Sequence, residues 1–245
     1  MIHLLLVALF LIIFLILSIP VFLVEWLIGK KNPALRDISS LRIVQWAFKI
    51  ILLLAGCRIT VIGEENIPKD KAVLYIGNHR GFFDTVITYA RCPLPTGYMA
   101  KKNLEKVPLL SVWMKLLHCL FLDREDIRQG LKTILKGIEY IRRNISVCVF
   151  PEGTRSTGDD QTDLLPFREG AFKISTKTDC PIVPFALTNT SAIFEDHLPF
   201  IKGTHVTLEY GKPFRPSELE KADRKAIGAY TRNIIIDMVK KNAAG

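Results

Sequence analysis

The chain reads as an α/β protein: a mostly parallel central sheet flanked by helices, preceded by an N-terminal two-helix membrane anchor. Three observations predict this. From residue 57 onward, short apolar runs alternate with stretches of helical periodicity, as parallel strands joined by crossover helices do. Residues 4–24 form an uncharged apolar run, long enough for a helix of about 31 Å that crosses a hydrocarbon core. The polar clusters follow apolar runs, at the carboxyl ends of strands, where open α/β sheets bind ligands. The chain therefore divides into an anchor, 1–56, and an α/β domain, 57–245.

Composition agrees with membrane contact. Of 245 residues, 49% are hydrophobic, and the formal net charge is +9. Mean hydropathy is +0.24, high for a soluble enzyme. A basic protein with a greasy end suits an anionic bilayer surface or a phosphorylated substrate. No basic helix, zinc knuckle or aromatic ribonucleoprotein motif supports nucleic acid as a partner. The cysteines (Cys57, Cys92, Cys119, Cys148, Cys180) are odd in number, widely spaced and flanked by apolar residues. They read as small core residues of a reducing compartment, not disulfides or metal ligands.

In chain order, the run at 4–24 contains Pro20, which predicts a break or kink near its end. It does not read as a signal peptide, since no Lys or Arg precedes it and no small-residue cleavage site comes after it. The run either spans or is immersed in one leaflet; if it spans, Lys30, Lys31 and Arg36 beyond it place the α/β domain in the cytoplasm by the positive-inside rule. Asn32-Pro33 predicts a turn. Residues 41–55 predict an amphipathic helix, with Arg42, Gln45 and Lys49 on one face and Ile43, Phe48, Ile50, Ile51 and Leu54 opposite. Such a helix lies on the surface or packs on the domain. Strands are expected at 58–63, 71–77, 97–101, 119–122, 146–150, 182–187 (interrupted by Pro184) and 204–210. Helices are expected at 82–90, 109–117, 127–143, 169–177 and 217–240, the last capped by Ser217.

The chemistry begins at Asn78-His79-Arg80-Gly81-Phe82-Phe83-Asp84, where a strand hands over to a helix. Mid-helix, residues five apart point about 140° away from each other. With His79 in the turn and Asp84 in the first helical turn the side chains can meet, which suits a base oriented by an acid. A surface histidine beside an ordinary helix aspartate is the plainer alternative. Pro151-Glu152-Gly153-Thr154-Arg155-Ser156 follows another strand, Asp123-Arg124 a third and Lys101-Lys102 a fourth. Arg155, Arg124 and Lys101 suit a phosphate at such positions, though each alone reads equally as a solvated rim charge. Glu152 could orient an arginine or bind a substrate hydroxyl. GxxxxGK[ST], GxGxxG and GxSxG motifs do not occur, which argues against those modes of nucleotide binding and against a serine nucleophile.

Four blocks occur in order: Asn78-His79-x-x-x-x-Asp84, Phe121-Leu122-Asp123-Arg124, Phe150-Pro-Glu-Gly-Thr-Arg-Ser156 and Ile182-Val183-Pro184-Phe185, with a Lys-x-x-Leu-Glu-x-x-Pro run at 101–108. On these, the chain resembles the bacterial 1-acyl-sn-glycerol-3-phosphate acyltransferases, over roughly residues 58–215. The resemblance implies acyl transfer from acyl-CoA or acyl-acyl carrier protein to the sn-2 hydroxyl of lysophosphatidic acid, giving phosphatidic acid at the cytoplasmic face of a membrane. It implies His79 as general base, Asp84 as its partner, and Arg124, Arg155 and Lys101 around the acceptor's phosphate. It also implies Glu152, Gly153 and Thr154 at the acceptor site, with no metal, cofactor or acyl-enzyme. Glycerol 3-phosphate or another lysophospholipid is the near alternative acceptor, and a silent lipid-binding scaffold the distant one. One position departs from the family pattern: Gly81 stands where many members carry a small hydroxyl residue. Phe82 and Phe83, next in the chain, either line an acyl path or pack as the first helical turn, and packing is the favoured reading.

Overall fold

The computed structural model describes residues 1–123, 125–158 and 160–243. Helix α1 (Ile2–Lys31) runs through Pro20 without ending. One missing amide removes a single helical bond, and the helix resumes on the far side. Asn32 then caps α2 (Pro33–Leu54), its side chain accepting a hydrogen bond from the Leu35 amide at 3.0 Å, with Pro33 in the first turn. The second helix is thus longer than the stretch 41–55. Polar contacts fix α1 on its neighbours. The Ser39 and Ser40 hydroxyls donate to the buried carboxylate of Glu25, at 2.7 and 3.0 Å, and the Trp113 indole donates to Ser18 at 2.8 Å.

Of the two placements open for the second helix, the structure has it packed on the domain, and its polar face is corrected at one residue. Arg42 and Lys49 are exposed, but Gln45 is buried, donating from Nε2 to the Tyr89 and Cys92 carbonyls at 3.2 and 2.7 Å. Carbonyls at a helix end lack partners within the helix. Gln45 supplies the donor to the Cys92 carbonyl and a second donor to the Tyr89 carbonyl, which also accepts from the Cys92 amide.

The sheet has seven strands: β1 (Arg58–Ile62), β2 (Leu74–Gly77), β3 (Thr96–Lys101), β4 (Leu120–Leu122), β5 (Ser146–Val149), β6 (Ile182–Thr188) and β7 (His205–Tyr210). Their order is β1-β7-β6-β2-β5-β3-β4. Every pairing is parallel except β6 with β7. Strand periodicity divides the core. Tyr75, Cys148 and Val183 face a cluster with α2 residues Leu41, Val44 and Ile51, with α3 (Phe83–Tyr89) and with Trp113 of α4 (Leu110–Leu116). Leu74, Ile76, Val147 and Ile182 face the opposite cluster. That side is covered by α5 (Ile127–Arg142), α6 (Lys173–Thr178) and, after the short α7 (Lys221–Lys225), by α8 (Ile227–Ala243).

Two expectations are corrected. Pro184 does not interrupt its strand: β6 is continuous, pairing Pro184 with Ile76 of β2. Antiparallel pairing with β7 begins only at Phe185, and the Pro184 carbonyl accepts from Gly211 beyond that ladder. The proline cannot return the bond that Gly211 donates to it, so the β7 ladder starts one residue later while the pairing with β2 continues. Nor is 217–240 one helix capped by Ser217. A 3-10 turn (Pro216–Glu218) and α7 precede α8, and the Ser217 hydroxyl donates to Asp179 at 2.7 Å. The competing carboxylate takes the side chain that the pattern assigns to a cap.

Candidate active site

β2 delivers the site. Beyond its last residue, Asn78 continues strand-like pairing with its side chain: Oδ1 accepts from the Leu187 amide and Nδ2 donates to the Leu187 carbonyl, each at 2.8 Å. This pins the start of the turn to β6. The chain then doubles back so that His79 Nδ1 lies 2.8 Å from Asp84 Oδ2. Asp84 has no solvent exposure. The same oxygen accepts from the Arg80 and Gly81 amides, at 2.7 and 2.8 Å. A buried carboxylate so supplied is fixed in place and fixes the imidazole in turn.

Three other groups hold His79. Its amide donates to Glu152 Oε1 at 2.8 Å, its carbonyl accepts from the Ser156 amide at 2.8 Å, and its ring stacks on Phe150 with centroids 4.4 Å apart. The loops after β2 and β5 are therefore one structure, as neighbouring parallel strands require. Nε2 makes no hydrogen bond among the described residues, and the side chain is 23% exposed. Held on Nδ1 and open at Nε2, the ring is built to take a proton from a bound hydroxyl.

Glu152 is buried, and burial raises its carboxyl above the usual range. Its second oxygen accepts from the Leu165 amide at 2.8 Å. Both oxygens therefore tie loops together, and in this structure Glu152 positions His79. Gly153 adopts φ +78°, a left-handed conformation open to glycine, and the Arg168 side chain fills the space a Cβ would enter. Thr154 is exposed.

Arg155 comes to the same site, half-exposed. Its Nη1 donates to Glu195 Oε1 at 2.9 Å, and its guanidinium lies over the Phe82 ring at 3.9 Å. Glu195 Oε1 also accepts from the Phe82 amide at 2.7 Å. Lys101 is exposed at the end of β3. Arg124 lies outside the described residues; its neighbour Asp123 pairs with Lys102 at 3.2 Å. The two phenylalanines separate in role: Phe83 is buried in the core, whereas Phe82 is 58% exposed beneath Arg155.

Glu195 accounts for Gly81. A Cβ there would stand 2.9 Å from Glu195 Oε2 and 3.3 Å from the Thr190 carbonyl. The hydroxyl residue that many family members carry gives way to a carboxylate entering from the loop after β6. Sequence reasoning misses Glu195, because nothing in its spacing ties it to His79. It also misses Arg80, which is buried and donates to the Gly158 and Asp160 carbonyls at 2.5 and 3.2 Å, drawing the loop after β5 over the site. Its place between His79 and Gly81 was the available signal.

A histidine held by a buried aspartate stands at the carboxyl edge of a parallel sheet with its outer nitrogen unbonded among the described residues, a geometry that suits a general base. Residues 58–188, more than half the chain, match the family model described as Acyltransferase, and the chain belongs to that family. It is 31% identical over 188 residues to a 1-acyl-sn-glycerol-3-phosphate acyltransferase of Borreliella burgdorferi, covering 77% of this chain and 74% of the relative. It is 31% identical over 221 residues to the enzyme of that name in Saccharomyces cerevisiae, covering 88% and 69%. The crystal structure of the lysophosphatidic acid acyltransferase PlsC of Thermotoga maritima superposes with a TM-score of 0.75 at 20% identity, covering 94% of this chain and 98% of that one. That likeness concerns the fold.

Proposed function

We propose that this protein acylates the sn-2 hydroxyl of 1-acyl-sn-glycerol 3-phosphate, with acyl-CoA or acyl-acyl carrier protein as donor, giving phosphatidic acid. The observation that carries this reading is the 2.8 Å His79–Asp84 pair with Nε2 left open; the names of the relatives supply the acceptor. His79 Nε2 takes the hydroxyl proton as the oxygen attacks the thioester carbonyl. The tetrahedral adduct collapses, the C–S bond breaks, and the proton passes from His79 to the departing thiolate. Asp84 holds the tautomer and offsets the imidazolium charge. Arg155, with Nε and Nη2 still available beside its Glu195 contact, binds the acceptor phosphate together with Arg124 and Lys101. Gly153 and Thr154 border the acceptor site.

Helix α1 supports membrane attachment. An 18-residue window has mean hydropathy 3.2 and is only 11% buried, and Lys30 and Lys31 close the helix. We place the catalytic domain on the cytoplasmic side, by the positive-inside rule. A reporter fused after Gly245 should read cytoplasmic; an external signal overturns the orientation.

Acyl transfer by the purified chain to lysophosphatidic acid, glycerol 3-phosphate and a phosphate-free monoacylglycerol tests the rest. Lysophosphatidic acid should be the preferred acceptor, and Arg155→Ala should raise its KM roughly tenfold or more, the scale of a lost charge-assisted contact. Equal turnover of monoacylglycerol sinks the phosphate assignment, and faster turnover of glycerol 3-phosphate replaces the acceptor.

A further inference from the structure

Two cavities meet at Arg42, away from His79. The first, about 540 Å³, lies between α1 and α2 and is closed at its base by Trp113. Apart from Ser18 and Arg42 every lining residue is apolar. Ser18 offers no free group, since its hydroxyl donates to the Phe14 carbonyl and accepts from Trp113. The cavity opens past Ile13, Leu17 and Trp46, each about half exposed. Its volume falls within the range of about 300–1,000 Å³ typical of ligand pockets. A dry, elongated opening on the apolar side of α1 suits an acyl chain.

The second cavity, about 420 Å³, has Arg42, Lys49 and Arg91 in its wall, with Glu64 as its only acidic residue. Glu64 pairs with Arg91 at 3.1 Å. Arg42 and Lys49 have no carboxylate partner among the described residues. Arg42 is nevertheless held: its Nη1 donates to Gln45 Oε1 at 2.7 Å, and Gln45 is buried and anchored to the Tyr89 and Cys92 carbonyls. A neutral amide thus orients the guanidinium and leaves its charge uncompensated. Such a wall suits a phosphate.

We infer that these two cavities form one binding site for an anionic phospholipid of the surrounding bilayer, separate from the acylation site. Its phosphate sits against Arg42 and Lys49, and one acyl chain enters the α1–α2 cavity beside Trp46 and Trp113. Neither cavity is lined by His79, Asp84 or Arg155. The site rests on the membrane-contact reading of α1 but not on the reaction chemistry.

Tryptophan quenching in vesicles tests it. The full-length protein carrying Trp26→Phe, so that Trp46 and Trp113 report, is mixed with phosphatidylcholine vesicles. These contain equal small fractions of either phosphatidylglycerol or phosphatidylcholine with brominated acyl chains. Brominated phosphatidylglycerol should quench at a roughly fivefold or greater lower mole fraction than brominated phosphatidylcholine, the scale of about one charge contact. Arg42→Gln with Lys49→Gln should abolish that preference while vesicle co-sedimentation and circular dichroism stay unchanged. Ile43→Phe, which narrows the apolar cavity, should weaken quenching by the anionic lipid without removing co-sedimentation. Equal quenching by the two lipids, or a preference that survives the double substitution, overturns the site and leaves the membrane reading intact. A protein that fails to co-sediment with any vesicle overturns both.

Discussion

Among the described residues two histidine–aspartate pairs have nearly the same separation and different surroundings. His79 lies 2.8 Å from Asp84, and His118 lies 2.9 Å from Asp37. In the first pair one aspartate oxygen accepts from two backbone amides of its own turn, the histidine uses Nδ1, and Nε2 faces the site. In the second the histidine approaches its aspartate through a buried Nε2 and packs edge-on against Tyr140. Asp37 is shared with Arg36 at 2.7 Å, and His118 is buried in the turn between α4 and β4, against α2. Proximity of a base and an acid is therefore no sign of catalysis. What separates the pairs is a reachable ring nitrogen: the His79 side chain is 23% exposed and that of His118 9%. The second pair fastens the anchor helix to the domain.

Asparagine substitutions sharpen the contrast most. Asp84→Asn should cut acyl transfer by roughly 10²-fold or more, as the imidazole loses the acid that orients it. Asp37→Asn should leave the rate within a few-fold and cost about 1–3 kcal/mol of stability, read as the thermal midpoint. That loss has a pH signature. Burial pushes the Asp37 carboxyl up, but His118 and Arg36 outweigh it and hold it below the ordinary 3.8. Its contribution is thus present above that pH and fades as pH falls through the folded value. Midpoints of wild type and Asp37→Asn should converge on acidification below 3.8; a gap that stays constant refutes the pairing.

A smaller effect is expected at Glu152. In Glu152→Gln one of the His79 and Leu165 amides loses its acceptor, so kcat should fall about tenfold, with little change in acceptor KM. A rise in KM at constant kcat would return Glu152 to the acceptor site. Stability should move the other way with pH than at Asp37. Burial raises the Glu152 carboxyl above 4.5, so the folded chain holds that proton more tightly than the unfolded chain. Wild-type stability therefore falls as pH rises from 4.5 to the raised value, and Glu152→Gln should lack that fall.

The smallest effect concerns Gly81. Gly81→Ser drives Glu195 off Arg155, so acceptor KM should shift a few-fold, and Glu195→Ala should suppress much of the further change, a non-additivity expected of touching groups. Additive effects would separate the two residues.

Much of this site was legible in the chain because it is local. His79, Arg80, Gly81 and Asp84 occupy one turn, and a strand followed by a helix places them without knowledge of the fold. The Phe150–Ser156 block follows the neighbouring strand, so alternation of elements brings it alongside. Glu195 and the His118–Asp37 pair were hidden because each depends on the path of the chain, with no period or motif to mark it. Gln45 was misread for a related reason: helical spacing groups it with Arg42 and Lys49, but the Tyr89 and Cys92 carbonyls that it bonds inward belong to another part of the chain. The same holds for Ser217, taken by Asp179.

The most direct measurement sets the two histidines against each other: acyl transfer to lysophosphatidic acid by His79→Ala and His118→Ala, with thermal midpoints of both. His79→Ala should retain its midpoint within a few degrees and lose roughly 10²–10⁴ in rate. His118→Ala should unfold earlier yet turn over within a few-fold of wild type at temperatures where it is folded. A His79→Ala protein that still transfers acyl groups, or a folded His118→Ala protein equally inactive, would contradict the assignment of the base.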